Sequence, residues 1–374
     1  MKSITEILGG AQILLGVAYE LQDHFEEYLT TDHRAFLALL RVVEEQLPPV
    51  ERIGSGMGRP AYEHVPFFRA FLAQSFFRIA SIEALKNRLL TDPNLRRICG
   101  FSEVPSLATF SRRFAEFAAQ PVATMTLNGM VTQYHAGRIV GHISRDSTAI
   151  PAREKPVNKK RDVTIPTCPK RKRGRPRKGD VVPTKQAGRL ERQLRMKPGK
   201  ALKELDTDCA WGCKKNSQGN RSFWKGYKLH LDVTDLGIPV TAIVTGANVH
   251  DSQLAIPMEK LTERKITFLY SVMDSAYDAA PIATYITGKG RVPLIDPNKR
   301  RGGERMVFTP AQKDRFKIRT SVERANAHLK DWLLPAQIFV RGVEKVSFQL
   351  LCGVLCLAAL KILQYFISPA RQGT

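Results

Sequence analysis

The chain has 374 residues, 43% of them hydrophobic, enough to bury a sizeable core in two folded regions and too many for a disordered chain. Its formal net charge of +23 makes any polyphosphate a favoured ligand through counterion release, although charge alone does not choose among DNA, RNA and a membrane surface. The six cysteines, Cys99, Cys168, Cys209, Cys213, Cys352 and Cys356, do not form a secreted disulfide framework, so a reducing cytosol is expected.

Residues 1–58 read as an amphipathic helical segment, carried by HRAFLALLRVVEEQL and closed by Pro48, Pro49 and the Gly-rich IGSGMGRP. The opening MKSITEILGGAQILLGVAYE makes no convincing targeting segment, because Glu6 enters early, Gln12 interrupts and no small-residue cleavage site follows. Residues 59–135 form a denser helical block. VPFFRAFLAQSFFRI has apolar residues at helical spacing, Ser81 caps SIEALKNRLLTD, and Pro105 and Ser106 open VPSLATFSRRFAEFA. Thr109, Arg112 and Arg113 are placed on the polar side of that last helix. Such an arrangement suits helix-turn-helix docking on DNA, and a plain helical bundle explains the apolar pattern equally well.

From residue 136 the pattern changes to strands. The first, 138–146, ends on Asp146 in RIVGHISRD; His142 shares its face, where packing is the expected role. Tyr227–Val233 and Val240–Thr245 form a hairpin through TDLGIP, with Asp235, Gly237 and Pro239 supplying the turn. A helix follows His250 and Asp251, for which capping is the default role. Then come a strand at 267–273 that ends on Asp274, a helix after Asp278, a short strand at 292–296 and a long helix holding Glu323. An insert at about 152–222 separates the first two strands. Residues 151–200 carry 18 Lys and Arg against 4 Asp and Glu, a block expected to stay mobile until it meets its partner. Its RKRGRPRK run (Arg171, Lys172, Arg173, Arg175, Arg177, Lys178) reads as a contact to DNA backbone or minor groove, around a core similar to an AT-hook; a nonspecific polybasic linker is the alternative. Cys209 and Cys213 have loose zinc-like spacing with no His pair after them. The apolar run from Leu350 to Leu360 is too short to span a bilayer and is expected to be a buried helix, with Cys352 and Cys356 as packing residues.

Two strand-end aspartates and one helical glutamate can place three hard oxygen ligands around one or two Mg²⁺ ions. Around Glu323, helical geometry gathers Phe316, Arg319, Glu323 and Lys330 into about a sixth of the circumference. That stripe suits phosphate-gripping cations beside a metal ligand, and also a solvated i,i+4 ion pair between Arg319 and Glu323.

These motifs resemble the DDE transposases of bacterial insertion sequences that carry a Tyr-x2-Arg-x3-Glu-x6-Lys signature. Arg319, Glu323 and Lys330 match that spacing, and Phe316 stands at the Tyr position. SRDSTAIPA is similar to the segment around the family's first Asp and VMDSAYDAAP to that around its second. WKGYKLHLDVTDLGIPVTAIVTGANVHDS is similar to the intervening hairpin and the His-Asp-Ser after it. The resemblance, over about residues 60–360, implies an α/β, RNase H-like mixed-sheet catalytic domain at 136–368 with a helical N-terminal DNA-binding region. It implies Asp146, Asp274 and Glu323 as catalytic ligands of Mg (or Mn), two ions in number, with Arg319 and Lys330 on phosphate. The expected function is binding of the element's own ends, then strand cleavage and strand transfer, by a homodimer on double-stranded DNA. The expected setting is the bacterial cytoplasm, with the nucleoid and without a membrane. A nuclease that cuts without joining, and a catalytically silent DNA-binding descendant, are the alternatives.

Overall fold

The computed structural model describes residues 28–49, 62–157, 187–215, 218–298 and 307–367. The RKRGRPRK run and most of the first 58 residues lie outside these. Six helices come first: α1 (Thr31–Glu44), α2 (His64–Phe76), α3 (Ile82–Thr91), α4 (Pro93–Cys99), α5 (Leu107–Ala118) and α6 (Val122–His135). Two of their starts follow caps legible in the sequence. Ser81 accepts from the Ala84 N–H and Ser106 from the Thr109 N–H, each satisfying an orphan first-turn donor. Helix α2 is apolar around most of its circumference and is buried accordingly, including Arg69, whose guanidinium is bridged to Glu44 of α1 and also reaches the Ile98 carbonyl.

A six-stranded mixed sheet follows. It contains β1 (Ile139–Pro151), β2 (Ala210–Lys215), β3 (Arg221–Thr234), β4 (Pro239–Gly246), β5 (Thr267–Met273) and β6 (Val292–Ile295). Strand β3 is antiparallel to β1, β2 and β4, whereas β5 runs parallel to β1 and β6 parallel to β5. The antiparallel hairpin β3–β4 turns through Gly237 at φ +78°, as the TDLGIP composition requires. Crossing from β4 to β5 takes α9 (Ser252–Thr262), and from β5 to β6 takes α10 (Ala280–Gly288), the helical connection that parallel pairing demands.

The chain's last long helix, α13 (Val343–Ile362), lies between the N-terminal helices and the sheet. It packs on α1, α2, α5, α6 and β4, so helices and sheet share one continuous apolar core. Phe348 locks this junction against Phe71, Phe114 and Phe117, at ring separations of 5.1 to 5.8 Å. With its extension to Ile367 this segment is long and apolar enough to cross a membrane, but 72% of its most apolar stretch is buried within the protein. Cys352 and Cys356 are buried there, as the sequence predicts.

Four expectations are corrected. Strand β1 does not stop at Asp146 but runs on to Pro151, because its second half pairs fully with β3. The insert is not all linker: α7 (Arg189–Arg195), α8 (Pro198–Lys203) and β2 lie within it. Lys260 of α9 fastens α7 by donating to the carbonyls of Gln193, Leu194 and Met196 at 2.7 to 2.9 Å. The long helix around Glu323 is broken into α11 (Pro310–Phe316), a 3₁₀ turn (Lys317–Arg319), α12 (Thr320–His328) and a π turn (Leu329–Leu333). Finally, Arg113 is not on the polar side of α5. It is buried and donates to Glu116 and the Tyr62 carbonyl, with His64 at 2.9 Å, whereas Arg112 is exposed.

Candidate active site

Asp146 and Asp274 come together because β1 and β5 are parallel neighbours. Arg145 is in register with Met273, and the next residue of each segment, on β1 and just past the end of β5, is an aspartate. Met273 ends β5, and Asp274 caps the following 3₁₀ turn (Ser275–Tyr277) by accepting from the Ala276 N–H at 3.0 Å. Asp146, in mid-strand, accepts from the Asn326 amide of α12 at 3.4 Å. Helix α12 is set over this face of β1 by the 3₁₀ turn before it, where the Ser144 hydroxyl donates to the Ile318 carbonyl at 3.2 Å.

Electrostatics sets the pair apart from ordinary surface carboxylates. Burial, above all, pushes the Asp146 carboxyl up to about 6; the negative charges of Asp274 and Asp251 add to this, while the Ser147 N–H and Lys214 oppose it. Asp274 is raised for the same leading reason, with Asp251 adding to it and the Ala276 N–H, Arg319 and Lys214 opposing. Lys330 keeps an exposed side chain, yet its ammonium is crowded: desolvation first, then Lys214, lowers its pKa, while Asp146 and Asp331 hold it up. Thus Asp146, Asp274, Arg319 and Lys330, four of the residues singled out in the sequence, converge on one end of the β1–β5 pair.

Glu323 is placed differently. Its carboxylate takes an i,i+4 bond from Arg319 at 2.5 Å and its side chain is 46% exposed. The Arg319 guanidinium also lies over the Phe316 ring, 5.8 Å from its centre. Among the described residues no group of three or more acidic, His or Cys side chains is arranged to hold a metal ion. His142 pairs with Asp235 and stacks on Tyr270, a packing role, as expected.

Sequence reasoning missed four residues here, and for a fifth, Asp251, the expected capping role is corrected. Lys214 arrives on β2 from within the insert, where nothing in the local pattern marks it. Asn326 lies one helical turn beyond Glu323, a signal that could have been read. Asp251 occupies the N-cap position of α9 but caps no N–H; its carboxylate instead pairs with Lys228 at 2.8 Å. Tyr277 is fully buried three residues after Asp274. On the other face of β1, Arg145 is wholly buried in a fork to Asp232 at 2.6 and 2.7 Å and reaches Glu259 at 3.0 Å. A buried network satisfied in this way fixes α9 against the sheet directly behind the aspartates.

A family model described as a transposase DDE domain matches residues 142–358, more than half of the chain. The chain belongs to the transposase DDE domain family. A second model, described as a transposase domain, matches residues 23–116 of the helical region, so both parts of this insertion-sequence transposase are accounted for. No curated protein and no solved structure matches it. Membership makes DNA its partner, and the family's chemistry typically uses a divalent metal.

Proposed function

We propose that this transposase binds the ends of its own mobile element and catalyses metal-dependent strand cleavage and strand transfer at Asp146, Asp274 and Glu323. The observation that carries the reading is the side-by-side placement of two half-buried carboxylates, Asp146 on β1 and Asp274 just past the end of its parallel neighbour β5, ringed by Lys214, Arg319 and Lys330. Burial and mutual repulsion disfavour charge on these groups, and a cation between them reverses that penalty. Hard oxygen donors suit Mg²⁺ or Mn²⁺, and the buried Asn326 Oδ1 beside Asp146 is left without a partner. The residues therefore fit the ion.

Strand order also supports the reading. An antiparallel β4–β3–β1 arrangement continued by parallel β5 and β6 supports an RNase H-like core, with Asp146 on β1 and Asp274 just past the end of β5. The ions, two in number, supply Lewis-acid polarisation of the phosphorus centre and activation of the attacking hydroxyl. This chain's residues do the rest. Arg319 offers a bidentate fork to a phosphate and Lys330 a point charge, on the same side as Asp274 and Asp146. When DNA phosphate claims the Arg319 guanidinium, Glu323 loses its partner and is free to turn toward the aspartates. That exchange accounts for a third acid that here lies on Arg319. Phe316, in place of the signature tyrosine, offers a ring for Arg319 and no hydroxyl for phosphate. The helical block at 59–135 is proposed to hold the element end, and the catalytic domain spans 136–368. Two ends have to be joined, so the active form is proposed to be a homodimer, working in the bacterial cytoplasm on nucleoid DNA.

The test is cleavage and joining of labelled element-end DNA in Mg²⁺ or Mn²⁺. Asp146→Asn, Asp274→Asn and Glu323→Gln are each expected to abolish cleavage and leave end binding intact, since amides keep the shape and lose the charge. Near wild-type cleavage by any one of them removes that residue from the metal site. Cleavage without joined product identifies a nuclease, and neither activity identifies a silent DNA-binding descendant.

A further inference from the structure

Strand β2 and the first residues of β3 form a two-stranded ribbon at the edge of the sheet. Gly226 ends the pairing of β3 with β1, and the stretch from Arg221 to Lys225 pairs with β2 alone. Register decides which side chains share a face. Trp211 lies opposite Lys225, and Cys213 lies opposite Phe223, with Arg221 two residues further along the same face. Gly212, Lys214, Ser222 and Trp224 alternate with these on the other face.

The two faces are finished differently. On one, the Trp224 ring lies across Gly212, leaving no room there for a Cβ, and its Nε1–H donates to the Tyr227 carbonyl at 3.2 Å. On the other, Trp211 and Phe223 are 61% and 65% exposed. They are diagonal neighbours across the ribbon, and Phe223 stands between Arg221 and Lys225 along β3. Neither Ala210–Lys215 nor residues 221–226 include an acidic side chain. Aromatic residues do favour strands, but a cross-strand pair contributes only about 0.2–1 kcal/mol. Two large rings left in water on an edge ribbon invite aggregation, so ribbon stability alone does not account for them.

We infer that this face of the ribbon binds single-stranded DNA, with Trp211 and Phe223 stacking on unpaired bases and Arg221 and Lys225 on the neighbouring phosphates. A face with cations and no acid is complementary to a polyanion. Flat rings interleaved with cations match a strand whose bases are turned outward, because each base has a π-face to stack and a duplex conceals those faces. The inference rests on DNA being the partner of this transposase and not on the roles of its three acids.

The experiment measures binding of the full chain to a fluorescein-labelled oligodeoxythymidine of about 15 nucleotides, and to a duplex of the same length, by fluorescence anisotropy. EDTA is present throughout, so that no metal site contributes. Variants are Trp211→Ala, Phe223→Ala, Phe223→Leu and Arg221→Ala, with melting curves on each. All four replace exposed side chains and are expected to melt within about 2 °C of wild type. Each aromatic-to-alanine change is expected to weaken single-strand binding about 10-fold and duplex binding less than about 2-fold. Phe223→Leu keeps the apolar area but loses the π-face, and is expected to lose nearly as much as Phe223→Ala. Arg221→Ala should flatten the salt dependence by a slope of about one. Unchanged single-strand affinity in both alanine variants overturns the inference, and a changed oligomeric state beside it, read by sedimentation, assigns the face to a second copy of this chain. Equal losses on single strand and duplex overturn it too, and identify a general backbone contact. Wild-type protein that binds the duplex but not the oligonucleotide overturns this inference alone, whereas binding of neither overturns the element-end reading with it.

Discussion

Arg319 is where two readings of one side chain meet. As a helix-surface partner of Glu323 it is worth at most about 0.5 kcal/mol, so Arg319→Ala should leave the melting temperature unchanged. As a phosphate fork beside Asp274 it should matter greatly to the reaction. We expect Arg319→Ala and Lys330→Ala each to lower cleavage or joining by at least about 10-fold at unchanged thermal stability. Normal rates for both would leave them only a surface role. Phe316→Tyr is expected to be tolerated, since a phenol extends the same face and the ring under Arg319 is kept. His230 offers a separate residue-scale test. It is fully buried against Thr245, and desolvation, the leading cause, pushes its imidazole down to about 4; Lys228 and Arg145 push the same way, Asp251 and Asp232 oppose. The native state thus binds fewer protons than the unfolded chain between pH 6.5 and about 4. Its contribution is complete above pH 6.5 and declines as pH falls through that window, by as much as about 3 kcal/mol. Urea melts of wild type and His230→Gln at pH 7.5 and 4.5 should show the smaller acid loss in the variant.

At the scale of elements, β3 does the most to assemble the site. It pairs with β1 along the stretch that holds Asp146, and its N-terminal part leaves the β1 pairing to carry β2 and Lys214. The handover occurs at Gly226, where φ is +151° and a Cβ would lie 2.1 Å from the Ile150 carbonyl oxygen. Backbone cannot yield there as a side chain could. Gly226→Ala is therefore expected to destabilise the fold by at least about 2 kcal/mol, read as a lower urea midpoint. The broken helix from Pro310 to Leu333 is the other decisive element. Its 3₁₀ turn is tied to Ser144 and its α12 segment to Asp146, so Phe316, Arg319 and Glu323 are aimed by anchors on β1 rather than by one uninterrupted helical period.

For the whole molecule, charge and core divide the work. The basic excess is concentrated in residues 151–200, whereas α13 joins helices and sheet into one apolar core. Such a core holds the helical block and the aspartates in a fixed relation. The basic run should then supply affinity more than sequence choice. Replacing Arg171, Lys172, Arg173, Arg175, Arg177 and Lys178 with Ala is expected to weaken DNA binding and flatten its salt dependence, by a slope of about one for each phosphate that is no longer neutralised. An unchanged slope means that the run does not touch DNA.

The sequence by itself determined the local elements and the two aspartates. Caps at Ser81 and Ser106, the hairpin turn at Gly237 and the apolar strand runs are set by neighbours a few residues apart, and these are found as expected. Asp146 and Asp274 were legible because each closes or interrupts an apolar run, where a carboxylate is costly unless it has a task. Tertiary structure decided what depends on distant partners. Arg113 turned inward because His64 and Glu116 wait for it, and β1 ran on because β3 completes its ladder. Lys214, Lys228, Asp251 and Tyr277 reached the site from segments far apart in the chain, through strand register and helix packing that no local pattern encodes.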